Sequence, residues 1–131
     1  MNAYSFAKTF VKEIEPSNKF FTQYVDVIIT ILFNDKLIVS GGPSAGCFFA
    51  TILISLALKK PVCQNLAMTG QISPDGIIGK IGGIRQKVGA VVRGGLKNVI
   101  VPKANQEDFE ALPRRIKEKV TVYYAETYNC F

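Results

Sequence analysis

Histidine is absent from the chain. Without imidazole, the Ser-His-Asp and Cys-His mechanisms are excluded together. Most zinc and iron sites, which lean on the same ring, are excluded with them. Any general base has to be a carboxylate, a lysine, a tyrosine or a cysteine. Cysteine is scarce: Cys47, Cys63 and Cys130 are odd in number and form no C-x-x-C. That signals neither a disulfide framework nor a metal knuckle, and a reducing, intracellular compartment is the expectation. No secretory pattern opens the sequence. The longest apolar run, Cys47 to Leu58, is too short to cross a bilayer and is expected as a buried helix of a soluble protein. Basic residues exceed acidic ones, for a net charge of +6, yet only Lys59-Lys60 and Arg114-Arg115 stand as adjacent pairs. Scattered charge of this kind reads as a solvated surface rather than a nucleic-acid patch.

What is present fits one domain. A length of 131 residues with 48% hydrophobic and 20% charged residues supports a single core. Tyr4, Phe6, Ala7, Phe10, Val11 and Ile14 recur at helical spacing over residues 2–14, and Pro16-Ser17-Asn18 breaks the pattern. Tyr24 to Phe33 is rich in β-branched residues and reads as a buried strand. After the Asn34-Asp35 turn signal, Leu37 to Ser40 reads as a second, short one. Ala45 to Leu58 is apolar on nearly all faces, which places a helix inside a domain. Leu66 to Gly70 reads as a strand, and Pro74-Asp75-Gly76 marks a hairpin flanked by Ile72, Ile77, Ile78 and Ile81. Ile84 to Arg93 reads as a helix stopped by Gly94-Gly95, and Val99 to Val101 as a buried strand. Asn105 is expected to cap a short helix together with Asp108, and Val120 to Tyr124 to form a last strand. Alternating strands and helices predict an α/β or α+β fold, with mixed sheets packed against helices.

Three features carry chemistry. Gly41-Gly42-Pro43-Ser44-Ala45-Gly46 sets a serine among small residues ahead of a helix N-terminus, where backbone N–H groups and the helix dipole can hold an oxyanion. Gly42 to Gly46 matches G-x-S-x-G, but the usual hydrolase needs histidine, and no G-K-[ST] follows to make a phosphate loop. Taken alone, the segment reads first as a plain helix start with a serine near its cap. Lys87 falls on the apolar stripe Ile84, Lys87, Val88, Val91. Burial lowers a lysine pKa, and a neutral amine can take a proton from a serine; the competing reading is an amine snorkelling to water. Thr69, at the end of Met68-Thr69-Gly70, can hydrogen-bond a nearby amine or be a turn residue. Ser5-Phe6-Ala7-Lys8 matches S-x-x-K, but its companion motifs are missing.

The ordered set of Gly42-Pro43-Ser44-Ala45-Gly46, Gln64 to Gly70, Ile81 to Lys87, Gly94 to Pro102 and Asn105 resembles the proteolytic domain of Lon proteases, in wording nearest to the mitochondrial type. The resemblance runs from about Asp26 to Val122. It implies a single Lon-type domain over residues 1–131, with an N-terminal helix and connection (1–24) and a catalytic core (25–124). It implies a serine endopeptidase with Ser44 as nucleophile and Lys87 as base. Thr69 would place the lysine, and Gln71, Gly42, Pro43, Ala45 and Gly46 would support the site. It further implies a homo-hexameric ring acting on unfolded or damaged proteins, in the mitochondrial matrix or the cytoplasm. No metal or cofactor is expected in this domain. ATP and magnesium would act only through a AAA+ ATPase module, in cis or in trans, since no Walker motif occurs here. Nucleic acid and membrane are not expected partners.

The sequence departs from the family at Gly41 and Gln71, where acidic residues are usual, and over Leu32 to Ser40, which is longer and lacks the expected Pro and Gly. These departures support a second reading, a non-catalytic Lon-like assembly or binding domain. A single substitution separates the two. Lys87→Arg should lower peptidase activity by on the order of a hundredfold or more, because a guanidinium cannot act as a base. Retained activity in a fluorogenic peptide assay would remove Lys87 from the mechanism.

Overall fold

The structure, a computed structural model, describes residues 2–23, 46–62 and 65–128. Helix α1 (Asn2–Ile14) buries Ala3, Phe6, Ala7 and Val11, with Tyr4 and Phe10 packed beside them; Ile14, expected on the same face, is 54% exposed at the helix end. A short helix α2 (Phe20–Gln23), not foreseen in the sequence, starts where the Asn18 side chain accepts from the Phe20 N–H. The same amide donates to the Ala57 carbonyl at 2.8 Å, fixing this connection to the end of α3 (Gly46–Leu58). The expected strands at 24–33 and 37–40 lie outside the described residues.

From residue 66 the chain builds strands β1 (Leu66–Met68), β2 (Gln71–Ile72) and β3 (Ile78–Gly79), then helix α4 (Ile84–Arg93). Strand β4 (Asn98–Pro102), a 3-10 turn (Lys103–Asn105), helices α5 (Gln106–Glu110) and α6 (Arg114–Lys117) and strand β5 (Thr121–Ala125) follow. Helix α6 was not legible in the sequence. The last strand sits one residue later than expected because Val120 packs at its entrance rather than pairing.

Strands β1, β4 and β5 form a parallel sheet in that order, with Ala67 opposite Val99 and Val99 opposite Val122. Side chains alternate across it. Leu66, Met68, Ile100 and Ala125 join the cluster made with α1 and α3. Ala67, Val99, Val101, Val122 and Tyr124 join the cluster made with α4, α5 and α6. The domain is therefore three layers, helix–sheet–helix, as parallel strands require when both faces must be covered.

The hairpin β2–β3 stands beside this sheet. Its turn is the one Pro74-Asp75-Gly76 announces: Gly76 N–H donates to the Ser73 carbonyl at 2.9 Å. Gly76 has φ +86, and a Cβ there would lie 2.6 Å from the Phe6 ring. The hairpin is tied to the end of the chain by Ile78 N–H to the Glu126 carbonyl and Tyr128 N–H to the Gly76 carbonyl, both 2.8 Å.

Helix α3 corrects one expectation. It is not buried all round: Phe48 and Leu56 are 43% and 45% exposed. The helix is in an outer layer: Cys47, Phe49, Ala50, Leu53, Ile54 and Ala57 join the cluster made with α1 and the sheet. Leu53 is fully buried there, and Leu53→Ala should cost about 2–5 kcal/mol. Urea denaturation would show this as a lower midpoint with an unchanged slope.

Candidate active site

The crossover from β1 to β4 runs through the hairpin and α4. A helix joining two parallel strands runs back along the sheet, so its N-terminus sits at the carboxyl ends of the strands. That end is also where ligands gather in open α/β sheets. Thr69 and Gly70 leave β1 at this end, and Lys87 lies in the first turn of α4.

The start of α3 is brought to the same place. Cys47 N–H donates to the Gly70 carbonyl at 3.1 Å. Gly46 packs so closely that a Cβ would lie 3.1 Å from both the Ile72 backbone nitrogen and its Cγ2. Gly70 has φ +152, and a Cβ on it would come within 2.9 Å of Ile78 and 3.2 Å of the Cys47 sulfur. Gly46 and Gly70 are thus two positions where only a glycine lets the backbones approach this closely.

Thr69 is buried, and its N–H donates to the Ile100 carbonyl at 3.1 Å. Alternation along β1 puts it on the sheet face that α4 covers. Gln71 opens β2 and is exposed; its side-chain amide donates to the Lys80 carbonyl at 3.3 Å across the hairpin. Ser44, with Gly42, Pro43 and Ala45, lies outside the described residues.

Lys87 is partly buried between Ile84 and Val88, both buried against the sheet. Loss of solvent around the amine lowers its pKa from the ordinary lysine value. The opposite effect acts on Cys47, whose fully buried thiol is pushed up to about 12 by desolvation. A thiol held protonated is no nucleophile. Its N–H, spent on Gly70, is also no donor for an oxyanion.

Sequence reasoning missed one polar group. Asn105 is completely buried, and its side chain does not cap α5 as expected. It accepts from the Ile81 N–H at 3.0 Å and donates to the Ile81 carbonyl and to Asp108 Oδ2, both at 2.8 Å. The buried Ile81 peptide groups need partners, and that need outweighs the cap. The only signal in sequence was the asparagine itself, which the helix-start pattern explained away.

Residues 1–130 match the family described as the Lon protease (S16) C-terminal proteolytic domain. The chain belongs to this family. It is 43% identical over 127 residues to "Lon protease homolog, mitochondrial 1" of Dictyostelium discoideum, covering 97% of the chain and 13% of that protein. It is 42% identical over 127 residues to the mitochondrial Lon protease homolog of Yarrowia lipolytica, covering 97% of the chain and 10% of that protein. Against the Rattus norvegicus homolog it is 41% identical over 128 residues, covering 97% and 13%. This Lon-type domain thus spans about an eighth of the length of its Dictyostelium and rat relatives. Among its described residues no cluster of His, Cys, Asp or Glu is placed to hold a metal, and no helix is long and apolar enough to cross a membrane.

Two outcomes follow for this Lon-type site. The depressed Lys87 pKa means that the unfolded chain binds the extra proton between the folded pKa and the ordinary lysine value. Stability should therefore rise with pH through that window. The deficit of wild type relative to Lys87→Met, read by thermal unfolding, should shrink over the same range. Gly70→Ala should cost about 1–3 kcal/mol through its φ and its contacts with Ile78 and Cys47, measured by urea denaturation.

Proposed function

We propose that this chain is the peptide-cleaving domain of a Lon-type, ATP-dependent serine protease acting on unfolded or damaged proteins. Ser44 is the nucleophile and Lys87 the general base. The observation that carries the reading is Lys87 itself: an amine on an apolar stripe, desolvated enough to lower its pKa, at the strand end where Thr69, Gly70 and the start of α3 converge.

The steps balance on these two residues. The neutral Lys87 amine takes the Ser44 hydroxyl proton as Oγ bonds to the peptide carbonyl carbon. The carbon–nitrogen bond then breaks, and the lysine proton passes to the departing amine, leaving an ester on Ser44. Lys87 next takes a proton from water as the water oxygen bonds to the ester carbon; the carbon–Oγ bond then breaks, the lysine returns that proton to Oγ, and the acyl product leaves as the carboxylic acid. Arginine in place of Lys87 would stop the first step, and Thr69 keeps the amine aimed. Unfolding work falls to an ATPase module outside these residues, in cis or in trans, and a ring of six copies would enclose the sites. The relatives are named as mitochondrial proteins, which supports an intracellular setting of that type.

The test is covalent labelling with a fluorophosphonate, read by intact mass. One adduct on wild type, none on Ser44→Ala and a rate lower by on the order of a hundredfold on Lys87→Ala are expected. A folded wild type that takes no label would point to a non-catalytic, assembly-only domain.

A further inference from the structure

Helix α4 begins without the usual anchor. Its N-cap is Gly83, in the left-handed region at φ +71 and ψ 33, and no side chain caps it. Two glycines, Gly82 and Gly83, precede the first turn, and a Cβ on Gly82 would meet nothing within 4 Å. Such a segment has wide conformational freedom. Yet Lys87 N–H bonds to the Gly83 carbonyl at 3.0 Å, so the rotation of the first turn, and the direction of the Lys87 side chain, follow from where Gly83 is held.

What holds it is the amide of Asn105. Its oxygen and nitrogen grip both backbone groups of Ile81, two residues before the N-cap, in the manner of a one-residue strand pair. Asn105 comes from the other side of the crossover, just after β4, and its second N–H is taken by Asp108 of α5. The amide is 0% exposed and Ile81 is 4% exposed, so water does not compete for these bonds. Ile81 also packs in one cluster with Ile84 and Val88, which flank Lys87 on α4.

We infer that Asn105 is a positioning residue for Lys87. It clamps Ile81 and thereby fixes the pair of glycines from which α4, and with it the lysine, is launched. The inference rests on the reading of Lys87 as the base and names the part of the fold that aims it. A catalytic amine displaced by about 1 Å loses on the order of a hundredfold in rate, so the clamp is a rate-setting contact without touching substrate. Asp108 supports it from the surface by holding the amide in the one orientation that serves both Ile81 groups.

The experiment measures fluorophosphonate inactivation of Ser44 in wild type, Asn105→Ala and Asp108→Ala, separating the maximal inactivation rate from the reagent's half-saturating concentration. In parallel, the protein is labelled with 13C at lysine Cε, and the Lys87 NMR signal is assigned by its loss in Lys87→Arg. Asn105→Ala should lower the maximal rate by on the order of tenfold to a hundredfold, with half-saturation held and one adduct still reached at the endpoint. Asp108→Ala should do the same to a smaller degree. In both variants the Lys87 signal should move while the other lysine signals stay in place. A merely structural role would instead reduce the fraction of protein that labels, at an unchanged rate. That result, or an unmoved Lys87 signal, overturns the inference. Should Asn105→Ala fail to fold, Asp108 is exposed and its variant decides by the same two readouts. If wild type itself takes no label, the catalytic reading has failed separately, and the Lys87 signal in the two variants alone decides whether Asn105 places the lysine.

Discussion

Parallel pairing of β1, β4 and β5 is the constraint from which the remaining architecture follows. Parallel strands cannot be joined by a tight turn, so each connection must cross back over the sheet. Each crossing brings a helix that needs an apolar surface, and both sheet faces become interior. The alternation Leu66, Ala67, Met68 and Val99, Ile100, Val101 supplies the two faces. The same geometry gathers the carboxyl ends of the strands and the N-terminus of α4 at one edge. Topology gathers Thr69, Gly70 and the first turn of α4 there before any individual side chain is considered.

Within that edge the precise contacts are made by backbone rather than by side chains. Gly46 and Gly70 let the start of α3 and the end of β1 touch through Cys47 N–H and the Gly70 carbonyl. A glycine at such a place serves distance as much as conformation. Polar side chains act one step back: Asn18 ties α1 and α2 to α3, and Asn105 ties the β4 side of the crossover to the approach of α4. Both amides bond backbone groups at both their oxygen and their nitrogen, and at Asn105 those groups are buried ones that need a partner.

Much of this was legible in the sequence where local chemistry and tertiary demand agree. The stripe of α1, the Pro74-Asp75-Gly76 turn and the Gly94-Gly95 stop of α4 are local signals that the fold simply uses. Gly95 N–H and Leu96 N–H close the end of that helix onto Val92 and Val91, as a glycine stop should. The stripe on α4 likewise predicted a lysine lodged among apolar residues. What was not legible depended on partners distant in the chain. The short helices α2 and α6 carry no periodicity of their own. The exposed side of α3 looks like the buried one in composition, and only the packing of α1 and the sheet tells them apart. Asn105 reads as a cap because its true partner, Ile81, is 24 residues away.

One aromatic cluster bears on how the domain is made. Phe6 and Phe10 of α1 stack edge-on against Tyr128, with ring centroids 4.9 and 5.5 Å away. Tyr128 also stands 2.7 Å from the Thr51 hydroxyl of α3. Aromatic residues near the two ends of the domain therefore pack on one another. Until Tyr128 docks, α1 is an amphipathic helix without its aromatic cover, and the core stays open. Closure over so long a loop is slow, because loop entropy must be overcome before the distant contacts form. While the core stays open, the folding domain exposes apolar surface and is prone to aggregate.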